Sequence, residues 1–105
     1  MRRVYRRAAA RRDLVEHYVY LAEQADEDTA ERFLTQAEQT FVDLAENREI
    51  GVSLRLRDPR LAELRKWRVK DFEAFLIFYL PRPDGVSIIR VLHAAQDWWG
   101  RLGIL

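Results

Sequence analysis

The chain has 105 residues, 49% of them apolar and 33% charged, and a net charge of +1. That balance is typical of a folded globular protein and excludes a disordered one, and the length suffices for one core but not two, so one domain is expected over 1–105. With no cysteine there is neither a disulfide framework nor a thiolate metal site. No apolar run reaches the length of a membrane span, and no apolar core follows the basic N-terminus as in a secretory signal, so a cytoplasmic location is expected.

Near-neutrality conceals segregation. Residues 1–12 hold six arginines and no acid, whereas residues 23–31 hold five acids and no base. A second basic stretch contains Arg55, Arg57, Arg60, Arg65, Lys66, Arg68 and Lys70. Such blocks permit an anionic partner but equally serve as solvated surface.

In chain order, Arg2 to Arg6 offers a short strand through Val4 and Tyr5. From Ala8 the sequence favours a helix, with Ala10, Leu14, Tyr18, Leu21 and Ala25 forming one apolar stripe and His17 beside it. Asp26-Glu27-Asp28-Thr29 interrupts the pattern, and Asp28 with Glu31 resembles a capping box. A second helix is expected from about Thr29 to Glu46, its stripe being Ala30, Phe33, Leu34, Ala37, Phe41 and Leu44. The short link makes the two an antiparallel hairpin. Asn47 to Leu61, punctuated by Gly51 and Pro59, reads as a basic loop.

Leu64 to Val69 reads as a strand with Trp67 and Val69 on one face. Ala74 to Leu80 and Val86 to Leu92 are rich in Phe, Ile, Val and Tyr and too short for core helices. Between them Pro81-Arg82-Pro83-Asp84-Gly85 closes a hairpin, the Asp-Gly pair supplying positive φ. Ala94 to Leu102 is expected to form a short terminal helix or wrap ending near Gly100 or Gly103.

Period two puts Phe75, Ile77 and Tyr79 opposite Leu76, Phe78 and Leu80. In the next strand it puts Val86, Ile88, Arg90 and Leu92 opposite Ser87, Ile89, Val91 and His93. Both faces are apolar. The predicted fold is α+β with two layers: a short N-terminal strand, an antiparallel helical hairpin, a three-stranded antiparallel meander and a short C-terminal helix or wrap. Two helices cover one face. The last dozen residues are too few to cover the other, which points to a protein partner there.

Arg12-Asp13-Leu14, Ala30 with Phe33-Leu34, Leu64 to Val69, Phe75-Leu76-Ile77-Phe78-Tyr79, Asp84-Gly85, Ile89-Arg90-Val91-Leu92-His93 and Asp97 together resemble the ParE branch of the RelE/ParE toxins. The resemblance implies a bacterial toxin made with a ParD-like antitoxin, whose C-terminal segment lies across the toxin in a hetero-oligomer. It also implies an N-terminal strand beside the last one, and a target, DNA gyrase, that is poisoned rather than cleaved, without nucleic-acid binding by the toxin alone. RelE relatives cut messenger RNA on the ribosome, so an mRNA interferase is the alternative, and a non-toxic interaction module of the same fold is a third. The family often has Arg where this chain has Gln96.

An interferase needs a base, an acid and cations converging on a phosphate. The candidates are His93 with Arg90 and Arg68, aided by Lys66 and Arg65. Strand parity sets Arg90 and His93 on opposite faces unless the strand bulges between them, and a strand-end histidine near Asp97 is more often structural. His17 reads as structural. A groove lined by Trp67, Phe75 or Phe78 and rimmed by Arg65 and Arg68 suits the acidic antitoxin segment that the resemblance implies. Trp98-Trp99 beside Arg101 either packs over the sheet edge or forms a binding hot spot. There is no Gly-rich phosphate loop, metal spacing, cofactor motif or paired nucleophile.

Overall fold

The computed structural model describes residues 2–102. β1 (Arg3–Arg6) runs into α1 (Ala8–Gln24) and α2 (Glu27–Glu46). There follow β2 (Val52–Ser53), β3 (Arg65–Val69), β4 (Phe72–Arg82), β5 (Gly85–His93) and a single turn, α3 (Trp98–Arg101). The sheet order is β1-β5-β4-β3-β2, antiparallel except for β1 beside β5, as the resemblance implied. β2 was not expected: it is a pairing of Val52 with Lys66 and Ser53 with Arg65 inside the basic loop. The predicted end near Gly103 lies outside the described residues.

α2 starts two residues earlier than predicted, with a different cap. Asp26, in extended conformation, accepts the Thr29 N–H at 2.7 Å, and Glu27 and Asp28 then lie in the first turn, where the helix dipole favours acids. Its buried face, Phe33, Ala37, Phe41 and Leu44, meets Phe75, Ile77 and Tyr79 of β4 and Val86, Ile88 and Val91 of β5. Each large side chain buried this way contributes about 1.5–3 kcal/mol. The stripe of α1 is shorter than predicted: Ala10 and Leu14 are buried, Tyr18 and Leu21 half-buried, and Ala25 exposed.

The second sheet face has cover that the sequence reading did not assign. Phe78, Leu92 and Leu64 are buried there under Leu54, Leu56 and Leu61 of the basic loop and Trp98 and Leu102 of the C-terminal turn. The leucines between the arginines of that loop, themselves half-buried, are therefore cover for this second cluster, and the face is not an open partner surface.

Strand parity fails twice: in β4, where Arg68 pairs with Leu76 but Val69 with Phe72, so that Phe72 and Phe75 share the helix-side core, and in β5. Tyr79 pairs with Ile88 and Phe78 with Arg90, so Ile89 is an extra residue in β5. Val86, Ile88 and Val91 consequently share the helix-side core, and Arg90 lies opposite Phe78 on the other face. The bulge precedes Arg90, so Arg90 and His93 still point opposite ways.

β1 stops at Arg6, and its last ladder bond runs from Arg7 N–H to Ile88 C=O at 3.0 Å. Beyond it the edge of β5 is finished by side chains of α1. Asp13 accepts the Val91 N–H at 2.9 Å, and His17 Nε2 donates to the Val91 C=O at 2.7 Å. Asp13 also receives Arg90 through Nε at 2.7 Å and Nη2 at 2.8 Å, a bidentate pair.

Two glycines are fixed by close approach. Gly85 has the positive φ expected of the Asp-Gly pair, +157°, and an added Cβ there would also lie 1.8 Å from the Arg3 C=O, so it both closes the hairpin and admits β1. At Gly51 it would lie 2.4 Å from the Tyr79 hydroxyl, which accepts the Gly51 N–H at 2.9 Å and donates to the Arg48 C=O at 2.8 Å.

Tyr79→Phe leaves that N–H and C=O without partners, and is expected to lower unfolding free energy by about 1–3 kcal/mol in urea titrations. Asp13→Ala strips Val91 and Arg90 together; because Arg90 keeps some solvent access, a loss of about 2–4 kcal/mol is expected. For His17, burial holds the imidazole below its usual pKa against the raising influences of the Val91 carbonyl, Asp13 and Glu16. The unfolded chain then takes up the proton first, so stability falls as pH drops below about 6.5 and levels off below the folded pKa. Urea midpoints of wild type and His17→Gln should converge on acidification from about pH 7.5.

Candidate functional site

The residues expected to bind a partner do not form one groove. Phe75 is 5% exposed and Phe78 0%, one in each core, so they line no common groove; Phe75 meets the surface only in the cavity beside His17 and His93. Phe75 packs edge-on between His17 at 4.9 Å and His93 at 5.0 Å. Trp67 is half-buried on the helix-side core with the Arg68 guanidinium 4.4 Å over its ring. Arg65 is a fastener: its Nη1 donates to the Gly51 C=O at 2.7 Å and the Glu49 C=O at 3.1 Å, holding the loop that Tyr79 also holds.

What remains at the surface is an aromatic column. Trp98 leans on buried Phe78 at 5.5 Å, Trp99 stacks on Trp98 at 4.2 Å, and Lys66 Nζ sits 5.2 Å from the Trp98 ring. Trp99 is 36% exposed and Arg101 beside it is exposed. The turn that carries them is built locally, since Asp97 accepts the Gly100 N–H at 3.2 Å and a Cβ at Gly100 would crowd that carboxylate at 2.6 Å. It is also tied to the sheet, because Arg90 Nη1 donates to the Arg101 C=O at 2.8 Å.

The residues an interferase would use are engaged elsewhere. Arg90 spends Nε, Nη1 and Nη2 on Asp13 and Arg101. His93 Nδ1 accepts the Ala95 N–H at 3.0 Å, which places the ring proton of the neutral form on Nε2. The His93 backbone N–H donates to Gln96 Oε1 at 2.7 Å. Arginine, having no acceptor, cannot make that bond, so Gln96 has its own structural role here. The support predicted from Asp97 comes instead from Gln96 and Ala95. Arg68 lies on β3, stacked on Trp67.

Sequence reasoning missed Asp13, whose partners are 77 and 78 residues away, and the cavity of about 390 Å³ that His17 and His93 share with Phe75, Tyr20, Glu16 and Gln96. A polar residue one position from Leu14 on an apolar helix face was the available signal for Asp13. Among the described residues no three His, Cys, Asp or Glu side chains come together to hold a metal, and no helix is long and apolar enough to cross a membrane.

Comparison with known proteins adds three findings. None of the curated proteins matches the chain in sequence. Among solved structures, the chromosomal ParDE TA system from P. aeruginosa contains a chain with the same fold. Its TM-score is 0.70 at 14% identity, covering 89% of this chain and 96% of that one. A family model described as the ParE toxin of type II toxin–antitoxin system, parDE, matches residues 4–98. That match takes in α1, α2 and all five strands but for the first residue of β1, and the chain belongs to the ParE toxin family of type II toxin–antitoxin systems.

Proposed function

We propose that this protein binds and poisons DNA gyrase in the cytoplasm without cleaving nucleic acid, and that a cognate ParD-like antitoxin neutralises it in a hetero-oligomer. The observation that carries the non-enzymatic reading is the state of Arg90. Its guanidinium holds the Asp13 carboxylate and the Arg101 carbonyl, so freeing it for a phosphate would strip a buried acid of its counter-ion. His93, on the other sheet face, is not placed to share a phosphate with it. A toxin that acts by occupation needs no such convergence; it needs a firm patch that a macromolecule can grip.

The column of Trp98 and Trp99 with Lys66 and Arg101 suits that task. Tryptophan and arginine dominate the energetics of protein interfaces, and a ring already stacked on a buried neighbour loses little freedom on binding. The antitoxin reading is supported by family membership and by the antitoxin partner named for the P. aeruginosa system.

Purified protein added to gyrase and relaxed plasmid is expected to block supercoiling or trap cleaved plasmid, while message on translating ribosomes stays intact. Trp99→Ala should weaken the gyrase effect at least about tenfold with little change in the urea midpoint. Cut message with unaffected gyrase would replace this reading with an interferase, and no response in either assay would leave the non-toxic interaction module.

A further inference from the structure

We propose that the solvent-facing side of α1 is a self-complementary docking surface, on which a second copy of this chain lays its own α1 in antiparallel fashion about a two-fold axis. The proposal is independent of the gyrase reading, because it concerns the free protein alone.

α1 turns Ala10, Asp13, Leu14 and His17 into the protein, where it packs on α2 and β5. Its opposite side carries Arg12, Val15, Val19 and Ala22, separated by three, four and three residues, which is the spacing of a two-helix seam. Val15 is 63% exposed and Val19 46%, with Ala8 exposed and Ala22 half-buried on the same side. Valine is a poorer helix former than alanine or glutamate, so helix formation gives no reason for two of them in solvent. Alanines rather than long side chains stand above and below them, which lets a second helix come close.

The charges along α1 run against the helix dipole. Arg7, Arg11 and Arg12 are exposed at its N-terminal end, where the first turn has no acid, and Glu23 is exposed in the last turn, which has no base. Each sign is unfavourable for the helix by itself. Glu27 follows at the start of α2, and among the described residues none of these five charges is in an ion pair. A parallel second copy would set arginine on arginine and glutamate on glutamate. An antiparallel copy, with the axis at the level of His17, brings Val15 against Val19 of the second copy, Arg11 and Arg12 against its Glu23, and Arg7 toward its Glu27, twice over by symmetry. The reversal also sets the two macrodipoles head to tail. The segregation of arginine in residues 1–12 from acid in residues 23–31 thereby acquires a use. Two valine pairs and the charges around them make an interface below the roughly 1,000 Å² of a lasting complex, so the dimer is a weak one, with a Kd on the order of 100 μM.

Sedimentation velocity of the purified protein from about 10 μM to about 1 mM should show a monomer–dimer equilibrium that added salt weakens. Val19→Glu, which puts a charge into the seam, should raise the Kd at least about tenfold. Glu23→Arg should do the same, and so should Arg11→Glu combined with Arg12→Glu, because each sets like charges together at both ends of the seam. A mixture of these two charge variants should associate at least as tightly as wild type, since each copy then meets its opposite. The altered side chains are exposed, so urea midpoints should stay near that of wild type. The mixture reads the surface directly even if Val19→Glu fails to fold. A wild type that stays monomeric to about 1 mM would overturn the proposal, as would a dimer indifferent to Val19→Glu and Glu23→Arg, or two folded charge variants that do not associate when mixed. A monomeric wild type whose Val19→Glu variant loses the antitoxin would give the face to that partner instead.

Discussion

The edge of β5 beyond Ile88 is the constraint around which the rest of the molecule is arranged. A strand buried on both faces still has backbone groups along its side, and a buried amide without a partner costs about as much as a typical mutation removes. β1 covers only the first half of that side, since the chain leaves it at Arg6 to begin α1 at Ala8. α1 then supplies Asp13 and His17, four residues apart and hence one above the other, to accept from and donate to the same residue, Val91. A helix thereby takes over from a strand. The Ile89 bulge makes this possible, because it turns the backbone of Val91 toward α1.

The substitution has a consequence for charge. The Asp13 side chain is 5% exposed, so it needs a counter-ion, and Arg90 provides one from the far face of the sheet by reaching round the open edge. That reach leaves Nη1 free to hold the Arg101 carbonyl, which fastens α3 over Phe78. Helix α1, strand β5 and the C-terminal turn are thus joined through one guanidinium. An arginine that looks like a catalytic cation in the sequence is the joint of the fold.

Legibility in the sequence followed the range of the interactions. Both helices, the three long strands and the order of the elements were readable because local periodicity encodes them. Phe33, Phe41, Ile77 and Ile88 sit where that periodicity puts them. The alternation of arginine and leucine from Leu54 to Leu61 was read for its charge, and its leucines proved to be the cover of the second face. β2 has two residues and no pattern of its own. The Ile89 bulge leaves no mark in composition, since Ile-Ile is ordinary strand sequence. Gly51 reads as loop punctuation until Tyr79 is seen against it. Of the candidate site, Trp98, Trp99 and Arg101 are at the surface, while Phe75, Phe78, Arg65, Arg90 and His93 are tied into the structure by partners distant in sequence.

Those same ties bear on how a small toxin can have both a target and an inhibitor. With Arg90 and His93 committed to structure, what the surface offers is two places of different chemistry. One is an aromatic column on the C-terminal turn, stiffened from beneath by Phe78 and flanked by Lys66. The other is the basic N-terminal edge of the sheet, where β1 is the terminal strand and Arg2, Arg7, Arg11 and Arg12 are exposed. The edge and the column lie on separate elements, β1 and α3, yet they are joined. The Arg7–Ile88 bond, the edge of β5, Arg90 and the Arg101 carbonyl form a continuous line between them. That line runs past Ile88 and Val91, which belong to the helix-side core with Val4 packed against it, so the seating of β1, that core and the turn that carries Trp99 depend on one another.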